Sequence, residues 1–149
     1  MAVKDDVALL KRIPLFAKVD ESRLNVLAFA TERVNVRKDE VLYKHGEPGS
    51  AAFVVVDGTI GIRLRAKADE EPEVLAGPGS LIGEQSMFAA IPYRGTATAQ
   101  SPVVALKISK ELFYRVAEEF PELAAEAMRT VNDKLDATLS DLRLVQRDL

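Results

Sequence analysis

The sequence predicts one mostly β domain, an antiparallel β-roll with short helices before it and two helices after it. Three observations carry this. The apolar pattern changes from a helical period to strict alternation near Val34. Glycine-rich turns then punctuate the chain at His45–Ser50, Asp57–Gly58 and Gly77–Gly79. After Pro121 no Gly or Pro occurs as far as Leu149, which suits one long closing helix. The 149 residues suffice for a single core. Residues 1–32 are assigned to N-terminal helices, 33–108 to the roll and 109–149 to the closing helices, with 121–149 as the long last one.

Asp6 is placed as the cap of a first helix with Val7 and Leu10 on one face, stopped by Pro14. Asp20 caps a second helix whose apolar stripe is Leu24, Leu27 and Ala28. Val34 and Val36 then alternate with Arg33, Asn35 and Arg37, and Val41 with Tyr43 continues the pattern. A buried run from Phe53 to Val56 leads to Asp57–Gly58, read as a hairpin-type turn. Ile60, Ile62 and Leu64 form the next strand, and Asp69–Glu70–Glu71 with Pro72 forms a solvated hairpin tip. Gly77–Pro78–Gly79 makes another turn, and Thr96 to Ile108 is rich in strand formers. Ser109 caps a helix carrying Leu112, Phe113, Val116 and Ala117, and Pro121 opens the last helix.

Composition excludes several functions. Hydrophobic residues make up 48% and charged residues 29% of the chain, a globular balance. A net charge of -3 argues against a nucleic-acid partner held by phosphate neutralisation. There is no cysteine, Met1–Asp6 has no apolar signal core, and the run Ala51–Val56 is far short of the roughly 20 residues that span a bilayer. The expected setting is cytoplasmic, with no membrane partner. The single histidine, His45, cannot build a multi-histidine metal centre, and in its glycine-rich turn it reads as a solvated residue. With no nucleophile–base pair and no metal cluster, the expectation is a non-enzyme without cofactor or metal.

The informative stretch is Gly77 to Ala99. Gly83 permits close approach of backbone, and one helical turn from Glu84 to Phe88 would aim free N–H groups at an anion, a phosphate above all. Arg94 lies at the start of the next strand, and its fork matches phosphate oxygens. Glu84 beside a phosphate makes sense if it accepts hydrogen bonds from a sugar hydroxyl. The plainer alternatives are a strand-end glycine, a solvated first-turn carboxylate and an exposed strand arginine.

With these segments in this order, the chain resembles the cyclic-nucleotide-binding domain family, which includes catabolite activator proteins and kinase regulatory subunits. The resemblance runs from about Leu9 to Leu144. Gly46–Glu47–Pro48–Gly49 with Val56–Asp57–Gly58 resembles the family's first glycine-rich hairpin. Gly77–Pro78–Gly79 followed by Gly83–Glu84 resembles the start of its phosphate-binding cassette, and Ile108 through Pro121 resembles its closing helices. The resemblance implies a ligand site of Gly83, Glu84, Gln85, Ser86, Arg94, Gly95, Lys134 and Thr138. Glu84 would take the ribose hydroxyl and Thr138 the adenine of cAMP. Lys134 would lie near the ligand, although it also suits a solvated charge, and Thr138 also suits a packing position.

The family's cassette normally ends in Pro-Arg, whereas this chain reads Pro92–Tyr93–Arg94–Gly95–Thr96. In one register Tyr93 takes the arginine's place and Arg94 faces solvent. In the other, Arg94 contacts the phosphate, Tyr93 points away and a bulge near Gly95 absorbs the difference. The second is favoured because it leaves the phosphate neutralised. Along the last helix, Met128, Leu135, Leu142 and Leu149 share one heptad position, and Ala124, Val131, Thr138 and Val145 the other. That seam implies a homodimer. The expected function is a cyclic-nucleotide-sensing regulatory module, for cAMP, that moves its closing helices on binding and signals to a protein partner. The alternative is a degenerate relative that dimerises or binds proteins without a standard ligand.

Overall fold

The computed structural model describes residues 2–64, 71–84, 91–122 and 125. Helix α1 spans Ala2–Lys11, and Ile13 next to Pro14 leaves the helical region with ψ 126, as a residue preceding proline does. Pro14–Phe16 forms a 3-10 turn that buries Leu15 and Phe16. Helix α2 spans Glu21–Ala30, and the Asp20 carboxylate caps it by accepting from the Arg23 N–H at 2.8 Å. Helix α3 spans Lys110–Glu119, capped in the same way by Ser109, whose hydroxyl accepts from the Leu112 N–H.

Asp6 departs from the expected cap. It sits inside α1, only 5% exposed, and both its carboxylate oxygens accept from the Arg33 guanidinium at 2.8 and 3.0 Å. The ion pair ties α1 to the first strand.

Eight strands are described: β1 Glu32–Val36, β2 Val41–Tyr43, β3 Ala51–Asp57, β4 Ile60–Arg63, β5 Val74–Ala76, β6 Leu81–Ile82, β7 Thr96–Ala99 and β8 Val103–Ser109. They form two four-stranded antiparallel sheets, ordered β1-β8-β3-β6 and β2-β7-β4-β5. β4 and β5 pair antiparallel, as expected of strands flanking the acidic stretch, of which Asp69 and Glu70 lie outside the described residues. Asp57–Gly58 is not a hairpin turn. It carries the chain from β3 in one sheet to β4 in the other. Gly58 has φ +88, and a Cβ there would stand 2.2 Å from the Pro102 carbonyl oxygen, so glycine is required. Gly77–Gly79 crosses back from β5 to β6, held to β3 by Gly79 N–H donating to Val55 O and Val55 N–H donating to Ser80 O.

β3 and β8 lie at the middle of their sheet and are covered on both sides. Ala52, Val54, Leu106 and Ile108 face the helices, against Phe16, Leu24 and Leu27. Ala51, Phe53, Val55, Val103 and Ala105 face the interior of the roll. Two-sided burial is why both strands read as continuous apolar runs rather than alternating ones.

Candidate ligand pocket

The pocket sits at the end of the roll where the turn after β2 meets the segment before β7. That turn pairs with the segment as a short antiparallel ladder. Gly46 N–H donates to Tyr93 O at 2.8 Å, Tyr93 N–H donates to Glu47 O at 2.9 Å, and Pro48 bridges to Pro92. His45 adds two contacts: its N–H donates to Thr96 Oγ1 at 3.1 Å, and its Nδ1–H donates to Arg94 O at 2.8 Å. His45 is exposed, as its turn position suggests, and the ring holds the backbone of the neighbouring segment.

This ladder sets which side chains face in. Tyr93, Gly95, Ala97 and Ala99 are buried, and Arg94 between them is exposed. The arrangement favoured from sequence, with Tyr93 pointing away, is therefore corrected. Tyr93 is 5% exposed and belongs to the roll's core. Its hydroxyl donates to Ala51 O at 2.7 Å and receives longer contacts from Ala51 N–H and Ser50 N–H at 3.3 and 3.4 Å. The physical reason is pairing parity: both main-chain groups of Tyr93 are taken by the turn after β2, so a one-residue slip is blocked. The bulge expected near Gly95 is absent there. The register irregularity along β7 falls on β2, between Val41 and Tyr43. Gly95 instead packs flat on β4, where a Cβ would come within 2.9 Å of Arg63 O and of Ile62 Cγ2.

Tyr93 stacks on Tyr43 with centroids 4.0 Å apart and planes 15° from parallel, and Tyr43 in turn lies 6.3 Å from Phe53. Burial, with the neighbouring Tyr93 phenol as a smaller cause, pushes the Tyr43 phenol up to about 12. Gly83, at φ +78, closes over this pair. A Cβ on it would lie 3.2 Å from both Tyr93 Cε1 and Ala51 O. Only glycine combines that backbone angle with that approach.

The resulting cavity holds about 330 Å³. Of its lining residues the tyrosine pair and Ile82 are buried, Gly83, Ile62 and Leu81 are half-buried, and Leu64 and Val74 are exposed. Glu84, 4% exposed, and the exposed Arg94 are its charged walls among the described residues. Gly83, Glu84 and Arg94 from the expected site thus border one cavity, with Arg94 at its open side. Gly95 lies beside it on the inward phase. Gln85, Ser86, Lys134 and Thr138 lie outside the described residues, as does the heptad seam from Met128 to Leu149. Tyr43 is the pocket residue that sequence reasoning missed, and Tyr93 was placed there only in the register not favoured. For Tyr93 the available signal was its shared alternation with Gly95, Ala97 and Ala99. Among the described residues no cluster of three or more His, Cys, Asp or Glu is placed to hold a metal ion, and no helix is long and apolar enough to cross a membrane.

Comparison with known proteins agrees with this architecture. Residues 33–120 match the family model for the cyclic nucleotide-binding domain. A CRP-like cAMP-activated global transcriptional regulator of Mycobacterium tuberculosis (strain ATCC 25618 / H37Rv) is 24% identical over 135 residues. That match covers 90% of this chain and 60% of the regulator, so this chain spans less than two thirds of that relative. The N-terminal domain of a transcriptional regulator from Streptomyces coelicolor A3(2) superimposes with a TM-score of 0.75 at 31% identity, covering 92% of this chain and 94% of that one. Thermus thermophilus catabolite activator protein shares the fold, with a TM-score of 0.77 at 21% identity over 89% of this chain and 63% of the other. With its two-sheet roll, its flanking helices and this match over more than half its length, the chain belongs to the cyclic nucleotide-binding domain family.

Proposed function

We propose that this chain is a regulatory ligand-sensing module that keeps the family's roll and pocket and does not hold a cyclic nucleotide tightly. The observation that carries this reading is Tyr93. Its side chain occupies the inward position beside Gly83, where a bound cyclic phosphate needs a cation, and its phenol is tied to the β3 backbone. A cyclic phosphate carries a full negative charge, and the described inner wall supplies two phenols and the Glu84 carboxyl group against it. The output side is α3, which packs against α2 and β8 and leads into the last segment. Occupancy of the pocket shifts these closing helices, and a homodimer formed through residues 121–149 passes the change to a protein partner.

A second reading is a cAMP sensor in which Arg94 reaches the phosphate from the open side. What favours it is that Arg94 borders the same cavity as Gly83 and Glu84. In that reading Gln85, Ser86, Gly95, Lys134 and Thr138 complete the contacts. Calorimetric titration with cAMP and cGMP separates the two. The first reading expects no saturation below about millimolar ligand. Micromolar binding of cAMP, abolished in Arg94→Gln, establishes the second.

A further inference from the structure

We propose that the Tyr43 hydroxyl is the donor by which the cavity recognises its ligand, and that it takes the carbonyl oxygen of a small uncharged molecule. The inference rests on the first reading above and names the ligand class for that same site.

Tyr43, Tyr93 and Glu84 are the buried polar side chains of the cavity wall among the described residues. Two of them are engaged. The Tyr93 hydroxyl donates to Ala51 O at 2.7 Å, and Glu84 has an interaction partner. Tyr43 differs. Its ring is packed on Tyr93 and Phe53, but its hydroxyl has no hydrogen-bond partner among the described residues. The residue is 7% exposed, so the phenol is almost wholly out of bulk water. Among the described residues every side-chain oxygen sealed from solvent has a partner. The unpartnered Tyr43 hydroxyl therefore opens onto free space, and the space that Tyr43 lines is the cavity. A buried donor without a partner is costly, and a ligand acceptor removes that cost.

The packing presents the hydroxyl and not the ring. Tyr93 covers a face of the Tyr43 ring at 4.0 Å, with Phe53 stacked at 6.3 Å. Gly83 meets the ring at its edge. A Cβ there would lie 3.6 Å from Tyr43 Cε2, the ring carbon next to the one that bears the hydroxyl. A side chain at position 83 would crowd that corner, and glycine leaves it open. The chemistry of the phenol then selects the acceptor. Burial pushes it up to about 12, so near neutral pH it keeps its proton and offers one O–H. The same burial opposes a negative charge set against it, whereas a neutral carbonyl oxygen accepts the bond at a smaller desolvation cost. Ile62 and Ile82 line the same cavity and suit the hydrocarbon part of such a ligand. The volume of about 330 Å³ is at the small end for ligand pockets.

The test is calorimetry on the whole chain and on Tyr43→Phe with four probes: cyclohexanone, methylenecyclohexane, which has the same shape without the acceptor, cyclohexanecarboxylate and cAMP. Cyclohexanone is expected to saturate the wild type and to bind Tyr43→Phe roughly tenfold more weakly, because the enclosed carbonyl would be left unpaired. Methylenecyclohexane is expected to bind both proteins alike. In infrared spectra the carbonyl stretch of bound cyclohexanone should lie below its value in hydrocarbon solvent in the wild type and return toward it in Tyr43→Phe. A change of packing alone does not move that band. Should Tyr43→Phe fail to fold, the band in the wild type decides. No saturable cyclohexanone binding, an unchanged ketone affinity in Tyr43→Phe, an equal loss of ketone and hydrocarbon, an unshifted carbonyl band, or tighter binding of the carboxylate than of the ketone overturns the proposal. If cyclohexanone and cAMP both fail, the ligand class is wrong and the first reading stands. If cAMP binds at micromolar concentration, that reading falls.

Discussion

The two faces of β3 make different demands on their neighbours. On the helix side, Ala52 and Val54 meet Phe16, Leu24, Leu27, Leu106 and Ile108, and apolar volume is all that the contact requires. On the roll side, Ala51, Phe53 and Val55 meet Tyr43, Tyr93 and Ile82, and a phenol is anchored to the Ala51 carbonyl oxygen. The first face closes a core by shape. The second combines packing with a directional hydrogen bond beside an open cavity. One strand thus serves as scaffold on one side and as the back of the cavity on the other, and the two sides should respond differently to substitution.

The largest effect is expected on the helix side. Phe16 is 0% exposed, and Phe16→Ala should lower stability by about 3–5 kcal/mol in denaturant titration. A loss under about 1 kcal/mol would show that this core collapses around the gap and would break the contrast between the faces.

The next effect is on the roll side and depends on pH. The Tyr43 phenol is raised from 10.0 to about 12 in the fold, so the folded state holds that proton more tightly than the unfolded chain. The associated stability is complete below pH 10.0 and is lost as pH rises toward about 12. Across that window the wild type should lose about 2–3 kcal/mol more than Tyr43→Phe. Parallel pH profiles for the two proteins would show that the phenol does not feel the burial described.

The smallest effect sharpens the comparison most. Tyr93→Phe keeps the ring and removes the hydroxyl that joins Ala51 O. A loss of about 1–2 kcal/mol is expected in denaturant titration. A stability equal to wild type would make the roll side a matter of volume as well, like the helix side.

Much of this was legible in the chain. Asp20 and Ser109 cap their helices as read, because a cap is a contact within one turn of sequence. The run Phe53 to Val56 was read as buried, and β3 is indeed covered on both faces. Asp6 was misread as a cap because its partner, Arg33, lies in a different element. Asp57–Gly58 was misread as a hairpin because the same residue types serve a crossing between sheets, and only the close approach of Pro102 O distinguishes the two.

Sequence by itself determined the order of the described elements, the caps at Asp20 and Ser109, the apolar faces and the neighbourhood of Gly83, Glu84 and Arg94, since these follow from local periodicity and residue type. Only the tertiary structure decided which of two adjacent residues, Tyr93 or Arg94, turns inward. Strand parity alternates with every residue and is set by the pairing partner, here Gly46 and Glu47, more than half the length of the roll away. A local pattern carries no record of that partner, so the inward aromatic pair appears only when the turn after β2 and the segment before β7 are brought together.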